Sequence, residues 1–261
     1  MMYWTEHKGV TFLQFPAMRG LTGVFHGVFL RFAADGRDGS SPLHLGLNCG
    51  AGDDDVWRNL RRIGDLFGAR HMVFARQVHG AEVLGWPPNS EQADHEPGQA
   101  FAYLPADALT TDKPRQALFI QVADCQPVLL VDPVRRVVAN VHSGWRGSIR
   151  NIIGRTVASM QADYGCRPER ILAGIGPSLG PCCAEFVNYR KEIPAGFWPY
   201  RLAADHFDFW RMSEDQLVAA GLERRNISQS RICTRCNQHL LFSYRGEKNT
   251  GRFAAVIGLT G

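Results

Sequence analysis

Apolar positions along the chain recur with two different periods, which together predict a mixture of strands and helices. Short apolar runs bounded by turn residues predict strands at Gly9–Phe15, Thr22–Phe32, His71–Ala75, Ala81–Trp86, Ala117–Val122, Val128–Val131, Val137–Val141, Ile171–Ile175 and Phe253–Leu259. Apolar residues spaced three to four apart predict helices at Asp53–Phe67, from Gly147 to Met160, and from a Ser213 capping box to Ala220. The polar segments Ala34–Pro42 and Pro87–Gly98 predict loops.

The order of these elements indicates the fold class. Strands and helices mingle without a strict strand–helix–strand alternation, which favours an α/β (mixed α+β) fold over a doubly wound sheet. A length of 261 residues is near the upper end of what one hydrophobic core can serve. We therefore expect residues 1–261 to form a single-domain sandwich with a central mixed β-sheet core and flanking helices.

Composition and charge narrow the classes of function. With 45% hydrophobic residues the chain can bury a sizeable core. The net charge of +4 comes from scattered Lys and Arg, so nucleic acid is not an expected partner, whereas a few arginines in one cleft would suit an anionic substrate. No apolar run approaches the roughly 20 residues of a membrane helix, and the N-terminus lacks the pattern of a signal peptide, so we expect no membrane partner and a cytoplasmic location. The odd number of cysteines, seven, favours free thiols and metal ligands over disulfides.

Three segments each place a potential metal ligand at the end of a predicted strand. They are Arg76-Gln-Val-His-Gly80, Ala123-Asp-Cys-Gln-Pro127 and Val141-His-Ser-Gly-Trp-Arg-Gly147. Taken singly, a histidine after a strand is more often a surface residue and a lone cysteine a small core residue. Together, two imidazoles and one thiolate suit Zn²⁺ and leave a fourth position for water or substrate. His79, Cys125 and His142 are therefore candidates for a catalytic zinc site.

Further short motifs run through nearly the whole chain. Besides the three segments above they are Leu45-Gly-Leu-Asn48, Ala106-Asp-Ala-Leu109, Pro127-Val128, Gly176-Pro-Ser-Leu-Gly-Pro181, Phe242-Ser-Tyr-Arg245 and Thr250-Gly-Arg252. In this order they resemble the laccase-domain family, also called multicopper polyphenol oxidase-like or YfiH-type proteins, regarded as zinc-dependent purine nucleoside phosphorylases. The resemblance implies an α/β sandwich and metal ligation by His79, Cys125 and His142. Gln126 departs from the family pattern, which often has an apolar residue there.

The resemblance also implies a chemistry. The expected reactions are phosphorolysis of adenosine, inosine and S-methyl-5'-thioadenosine, with nucleosides and phosphate as small-molecule partners, and deamination of adenosine. Arg146, four residues beyond His142, is a candidate for binding phosphate bidentately, and Arg76 is a second candidate; either arginine would alternatively pair with Asp124. Asp124 is a candidate for orienting a ligand histidine or moving a proton, and its simpler interpretation is a carboxylate that caps a turn.

Other functions stay open as alternatives. A copper-dependent polyphenol oxidase is less favoured because none of the nine histidines forms a His-x-His pair. A non-enzymatic metal-binding module is the third hypothesis, and the oligomeric state stays open. Cys233-x-x-Cys236 with His239 resembles half of a structural zinc site, but no second pair is evident, which favours free thiols. Cys182 and Cys183 are expected in a loop near the cleft and receive no role.

Overall fold

The computed structural model describes residues 2–32, 42–46, 49, 53–87 and 101–261. The strands are β1 Tyr3–His7, β2 Val10–Gln14, β3 Val24–Phe29, β4 His71–Ala75, β5 Val83–Gly85, β6 Phe101–Leu104, β7 Ala108–Thr111, β8 Gln116–Val122, β9 Gln126–Asp132, β10 Val137–Ser143, β11 Leu172–Ile175, β12 Ile227–Gln229 and β13 Phe253–Leu259. The α-helices are α1 Pro16–Arg19, α2 Asp53–Leu66, α3 Trp145–Ile149, α4 Ile152–Tyr164, α5 Tyr189–Glu192, α6 Phe209–Ala219 and α7 Tyr244–Glu247. None of the helices in these ranges is long and apolar enough to cross a membrane.

The strands form two mixed sheets. Over the described residues, the first sheet has the order β1-β2-β3-β13-β8-β4-β6 and the second β12-β11-β9-β10-β7-β5. Most neighbours are antiparallel, but β4 runs parallel to β6 and β8, and β5 and β12 run parallel to β7 and β11. The expected mixed α/β sandwich is confirmed, with two sheets forming its core.

Alternating side chains along the central strands divide the core into layers. Leu118 and Ile120 of β8 pack between the sheets with Val138 of β10. Phe119, on the opposite face of β8, packs in a second cluster that includes the buried face of α2. Val141 packs on the far side of the second sheet, in a cluster with residues of α4 and α6. The layers therefore run helix, sheet, sheet, helices, and each fully buried Leu, Ile or Phe contributes about 1.5–3 kcal/mol.

One polar side chain bridges the two sheets. Asn140 of β10 is fully buried, and its amide nitrogen donates to the carbonyl oxygens of Leu118 at 2.9 Å and Ala255 at 2.8 Å, both in the first sheet. Because side chains two residues apart on a strand share a face, His142 lies on the same face as Asn140. The bridge therefore helps to fix the end of β10, where a candidate ligand lies.

The strongest sequence patterns predict their elements closely. The strands His71–Ala75 and Phe253–Leu259 are confirmed at their predicted bounds, and the predicted helix Asp53–Phe67 ends one residue early. That helix is followed by Gly68, whose φ of +61° is the left-handed conformation that glycine adopts readily. The predicted strand Ala81–Trp86 is shorter, at Val83–Gly85. Most of both predicted loops, residues 34–41 and 88–98, lies outside the described residues.

Two helix predictions are wrong in detail. The helix expected from Gly147 to Met160 is two helices, because Asn151 takes a left-handed φ of 57° and its side chain accepts from the Gly154 N–H. The Ser213 capping box is not a helix start. Asp208 caps α6 instead, with its carboxylate accepting from the Arg211 N–H at 2.9 Å. Ser213 is buried inside α6, where its hydroxyl donates to Gln126.

His26 gives the fold a predictable pH dependence. It is buried on β3, and its ring Nε2 accepts a hydrogen bond from the Phe15 N–H at 2.9 Å. Burial lowers the pKa of His26 to about 4, from 6.5, because the charged ring loses its hydration. The unfolded chain therefore binds more protons between about pH 6.5 and pH 4, and stability falls as the pH drops through this window, by up to about 3 kcal/mol from this residue.

We expect His26→Gln to remove this contribution, because the amide offers an acceptor but does not titrate in that range. Urea unfolding of both proteins at pH 7 and pH 4.5 measures the difference. The wild-type protein should lose more stability between the two pH values than the variant does, by about 2–3 kcal/mol. Equal losses in the two proteins would show that His26 is not the group responsible.

Candidate metal centre and cavity

The structure brings His79, Cys125 and His142 together from three separate strand ends. His79 lies in the turn after β4, Cys125 in the link from β8 to β9, and His142 near the end of β10. Their ligand atoms all lie within 4.8 Å of one another, and Cys125 Sγ is 3.7 Å from His79 Nε2. A tetrahedral ion with ligands at about 2.0–2.3 Å holds its donors roughly 3.3–3.8 Å apart, so the three residues fit a metal ion.

The close approach of the three ligands requires Gly144. A Cβ atom at this position would lie 2.9 Å from His79 Cδ2 and 3.3 Å from Cys125 Sγ. Any larger residue would push these side chains apart. No fourth His, Cys, Asp or Glu of the described ranges joins the group, which leaves one position of a tetrahedral ion for water or substrate.

Asp107, directly before β7, orients two of the three ligands. Its Oδ1 lies 2.7 Å from His142 Nδ1 and accepts the His79 N–H at 3.0 Å, and its Oδ2 accepts the Gly80 N–H at 2.7 Å. The His142 N–H also donates to the Asp107 carbonyl oxygen at 2.7 Å. A carboxylate on Nδ1 keeps a proton there and leaves Nε2 of His142 as the nitrogen that binds a metal. Burial favours the neutral ring, but Cys125 and Asp107 raise the pKa of His142 to about 9, so a metal displaces a proton from Nε2 when it binds.

The charges of the group suit metal binding. Burial raises the pKa of Asp107, but hydrogen bonds from His142 and the Gly80 N–H outweigh it, so the pKa lies below the usual value. Burial also disfavours the Cys125 thiolate, yet the neighbouring His142 and His79 lower the pKa of Cys125 to about 6. The thiolate is the form that binds a metal, and it is therefore well populated at neutral pH.

Asp124 has a different set of partners from those expected. Its Oδ1 accepts from Thr234 Oγ1 at 2.5 Å and from Ser243 Oγ at 2.7 Å, and its Oδ2 accepts from the Arg245 N–H at 2.6 Å. These bonds fasten the segment 234–245 beside Cys125. Asp124 was a candidate for orienting a ligand histidine, but the carboxylate that contacts one is Asp107. Asp124 instead fixes a loop through its three hydrogen bonds.

The two candidate arginines lie in different places. Arg76 lines the cavity beside the three ligands, together with Arg245 and Arg252. Arg146 is exposed, is not among the lining residues, and holds its guanidinium carbon 4.1 Å from the centroid of the Trp145 ring. The expectation that Arg146 lies beside the ligands is therefore corrected: its guanidinium stacks on Trp145, which lines the cavity, and Arg146 itself does not.

A cavity of about 950 Å³ opens onto the three ligands, a volume suited to a small organic molecule. Its aromatic lining residues are Trp57, Tyr103, Trp145, Phe186, Phe209 and Tyr244. Three of them form one continuous surface, with ring centroids 6.0 Å apart for Trp145 and Phe186 and 5.3 Å apart for Phe186 and Phe209. The cavity thus combines a metal-ligand group, arginines and flat aromatic faces.

Sequence reasoning assigned no role to two residues that build this site. Asp107 stood only within the motif Ala106-Asp-Ala-Leu109, although a charged residue between apolar neighbours is buried only when it has a partner. Gly144 stood only within the His142–Gly147 motif. The requirement for glycine at position 144 can be recognised only when the positions of the His79 and Cys125 side chains are known.

Known proteins resemble this chain over most of its length. A family model described as multi-copper polyphenol oxidoreductase laccase matches residues 26–260. Purine nucleoside phosphorylase YlmD of Geobacillus stearothermophilus is 31% identical over 248 residues, 90% of each chain. A purine nucleoside phosphorylase of Deinococcus radiodurans is 34% identical over 232 residues, 84% of this chain and 85% of its own. The crystal structure of YlmD from Geobacillus stearothermophilus matches the fold with a TM-score of 0.81 at 29% identity, covering 98% of both chains.

Proposed function

The chain belongs to the family described as multi-copper polyphenol oxidoreductase laccase, and we propose that it is a zinc-dependent purine nucleoside phosphorylase. The observation that carries the proposal is the group of His79, Cys125 and His142, which lines a cavity of about 950 Å³ and leaves one metal position open. Relatives at 31% and 34% identity bear the name purine nucleoside phosphorylase, which agrees with it. The proposed substrates are phosphate with adenosine, inosine or S-methyl-5'-thioadenosine.

The residues around the cavity suit both substrates. Phosphorolysis breaks the bond between C1′ of the ribose and the purine while an anionic phosphate attacks C1′. Arg76, Arg245 and Arg252 supply positive charge for phosphate, since guanidinium groups bind phosphate oxygens in pairs. Arg245 and Arg252 each donate from Nη1 to main-chain carbonyls, which holds these side chains in place. The aromatic surface that includes Trp145 and Phe186 offers flat faces on which a purine stacks.

Zinc, when bound, supplies a Lewis acid that polarises an oxygen of phosphate, of the substrate or of water. The chain's own part is orientation and charge. Asp107 fixes His142 and the turn that carries His79, and the depressed pKa of Cys125 keeps its sulfur ionised. Because these groups are held before substrate arrives, little reorganisation is needed during the reaction.

The donor set favours zinc over copper oxidase chemistry. Reduction of dioxygen to water needs several copper ions held by many imidazoles, and the His–Cys–His group offers two. A single copper centre of the electron-transfer type commonly adds an axial methionine, and no methionine stands among the described residues that line the cavity. A phenol oxidase is therefore the weaker candidate.

Phosphorolysis is tested by the requirement for phosphate and by the sugar product. Zinc-loaded protein is incubated with inosine, with and without phosphate, and hypoxanthine, ribose 1-phosphate and free ribose are measured. We expect base and ribose 1-phosphate in equal amounts, no base without phosphate, and loss of both products after chelation of the metal. Base release that does not need phosphate and yields free ribose would identify a hydrolase and overturn the proposal.

The choice between Arg76 and Arg146 gives a further prediction. We expect Arg76→Ala to raise the KM for phosphate on the order of 10–100-fold, because a guanidinium that lines the cavity is lost. Arg76→Lys should restore only part of the effect, since an ammonium group cannot form the paired contact. Arg146→Ala is the matched comparison and should change the phosphate KM by less than about threefold. A phosphate defect in Arg146→Ala alone would exchange the two roles.

We further propose that the same centre deaminates adenosine. The purine C6 and the ribose C1′ lie at opposite ends of the nucleoside, so one metal serves both reactions only if adenosine binds in two orientations. Phosphate bound near the metal should then exclude the deamination pose. Because inosine is itself cleaved to hypoxanthine, deamination is measured as inosine plus hypoxanthine. We expect this sum to fall as phosphate is raised, while adenine formation increases. Deamination that is independent of phosphate, or that survives His79→Ala, would show that a separate site is responsible.

A further inference from the structure

We propose that Cys182, Cys183, Cys233 and Cys236 form a second metal site, which binds a structural zinc ion through four thiolates. The four sulfur atoms all lie within 4.8 Å of one another. They come from two segments, the turn after β11 and the segment after β12, more than 45 residues apart in sequence. The second pair that sequence did not reveal for Cys233 and Cys236 is thus Cys182 with Cys183. His239, the expected companion, is exposed and outside the group.

The sulfur geometry fits one ion. Cys236 Sγ lies 3.6 Å from Cys182 Sγ and 3.6 Å from Cys183 Sγ. A tetrahedral zinc with zinc–sulfur distances of about 2.3 Å holds its sulfurs roughly 3.8 Å apart, so both separations are close to those of a closed four-thiolate site. A disulfide would need about 2.05 Å, and all four cysteines are free. An iron–sulfur cluster distributes its cysteines over several metal atoms, and its sulfurs therefore lie farther apart.

Backbone N–H groups donate hydrogen bonds to one of the four sulfurs, Cys233 Sγ. The Gly180 N–H donates to Cys233 Sγ at 3.3 Å, and the Cys236 N–H is a second donor to the same sulfur. Hydrogen bonds of this kind orient a thiolate ligand and stabilise its charge. Gly180 itself has no room for a side chain, because a Cβ there would lie 3.0 Å from Cys233 Cβ and 2.9 Å from the Trp210 ring. The turn that carries Cys182 and Cys183 is therefore packed closely on Cys233.

A metal at this site would join one segment of the cavity wall to a second segment that is hydrogen-bonded to the wall. Leu179 and Ala184, on either side of the Cys182–Cys183 pair, line the cavity. On the other segment, Thr234 donates to Asp124, the residue before the ligand Cys125. Arg245, also in the lining, donates to the Cys183 carbonyl oxygen at 3.2 Å. Because no open position remains on a four-thiolate ion, we assign it a structural role: it holds the wall in place.

Zinc content of purified protein variants tests the proposal without reference to activity. We expect about two equivalents of zinc per wild-type chain, about one in Cys125→Ala, and about one in Cys182→Ser/Cys236→Ser. Cys166→Ser is the matched control and should keep both, because Cys166 is buried beside Asp132 outside the two groups. A zinc-free Cys125→Ala protein, with one equivalent in the wild type, would overturn the second site while leaving the first intact.

A spectroscopic measurement covers the case in which the double variant does not fold. Cys125→Ala loaded with cobalt(II) should show the strong near-ultraviolet thiolate-to-cobalt absorption and the visible bands of a tetrahedral four-thiolate ion. Absence of these bands would contradict the proposal. So would a protein mass lower by two hydrogens, with Cys182 or Cys183 linked to Cys236 after digestion, since that pair would then be a disulfide.

Discussion

Replacing Cys125 with alanine is expected to lower kcat for phosphorolysis by a factor on the order of 10³ or more and to leave the fold intact. The variant loses the only sulfur among the three ligands at the cavity, so the metal is held by two imidazoles alone. The fold should persist because Cys125 lies in the link between β8 and β9, at the edge of the cluster packed between the two sheets. A large core does not depend on one metal ion, unlike a small zinc domain.

The measurement combines steady-state kinetics, zinc content and thermal unfolding for Cys125→Ala and for the control Cys166→Ser. The control removes a different thiol, in the cluster on the outer face of the second sheet, and should retain near-wild-type turnover. His79→Ala and His142→Ala should resemble Cys125→Ala, and combining the substitutions should add little, because the three ligands act as a unit. Full activity in Cys125→Ala would remove the residue from the reaction, and failure to fold would make the site structural.

Asp107→Asn is expected to weaken metal binding and activity by about 10–100-fold. The carboxylate accepts from His142 Nδ1 and from the His79 and Gly80 N–H groups. An amide has one acceptor oxygen, and its NH₂ group would face at least one of these donors. His142 then loses the partner that fixes its tautomer, and the fully buried position also loses stability, by about 1–3 kcal/mol.

Asp112→Asn is a suitable control for this variant, since it makes the same change just after β7 at an exposed residue paired with Lys113. Activity is measured as zinc is titrated into each protein. Asp107→Asn should need a higher zinc concentration for half-maximal activity and should recover part of its rate at saturation, whereas Asp112→Asn should match the wild type. Identical zinc titrations for Asp107→Asn and wild type would show that Asp107 does not orient the ligand.

The sequence predicted the site best where a side chain that can bind a metal lies at the end of a predicted strand. His79, Cys125 and His142 each place a side chain that can bind a metal at the end of an apolar run, and it is the three similar positions together, rather than any one residue, that predict the group. Asp107 could not be placed, because its contact with His142 joins residues 35 positions apart and depends on β7 pairing with β10. The strand β7, Ala108–Thr111, is too short for its periodicity to be distinctive.

Other differences have equally local causes. We expected Arg146 beside the ligands because it follows His142 by only four residues. A helix begins at Trp145, however, and the Arg146 guanidinium stacks on the Trp145 ring. One helix became two because Asn151 adopts a left-handed conformation that apolar spacing does not reveal. The four-cysteine group was missed because its two pairs lie on separate loops whose contact is set by tertiary structure.

A comparison of two metals distinguishes zinc-dependent phosphorolysis from copper-dependent phenol oxidation. The protein is stripped of metal and reloaded with zinc or with copper(II), and each form is given adenosine, phosphate and a phenol in an oxygen-electrode cell. We predict that the zinc form releases purine base, counted as adenine plus hypoxanthine, and ribose 1-phosphate in equal amounts without consuming dioxygen, and that Cys125→Ala treated in the same way releases neither. A zinc form that releases no purine base, together with a copper form that consumes dioxygen as the phenol is oxidised, would contradict the account.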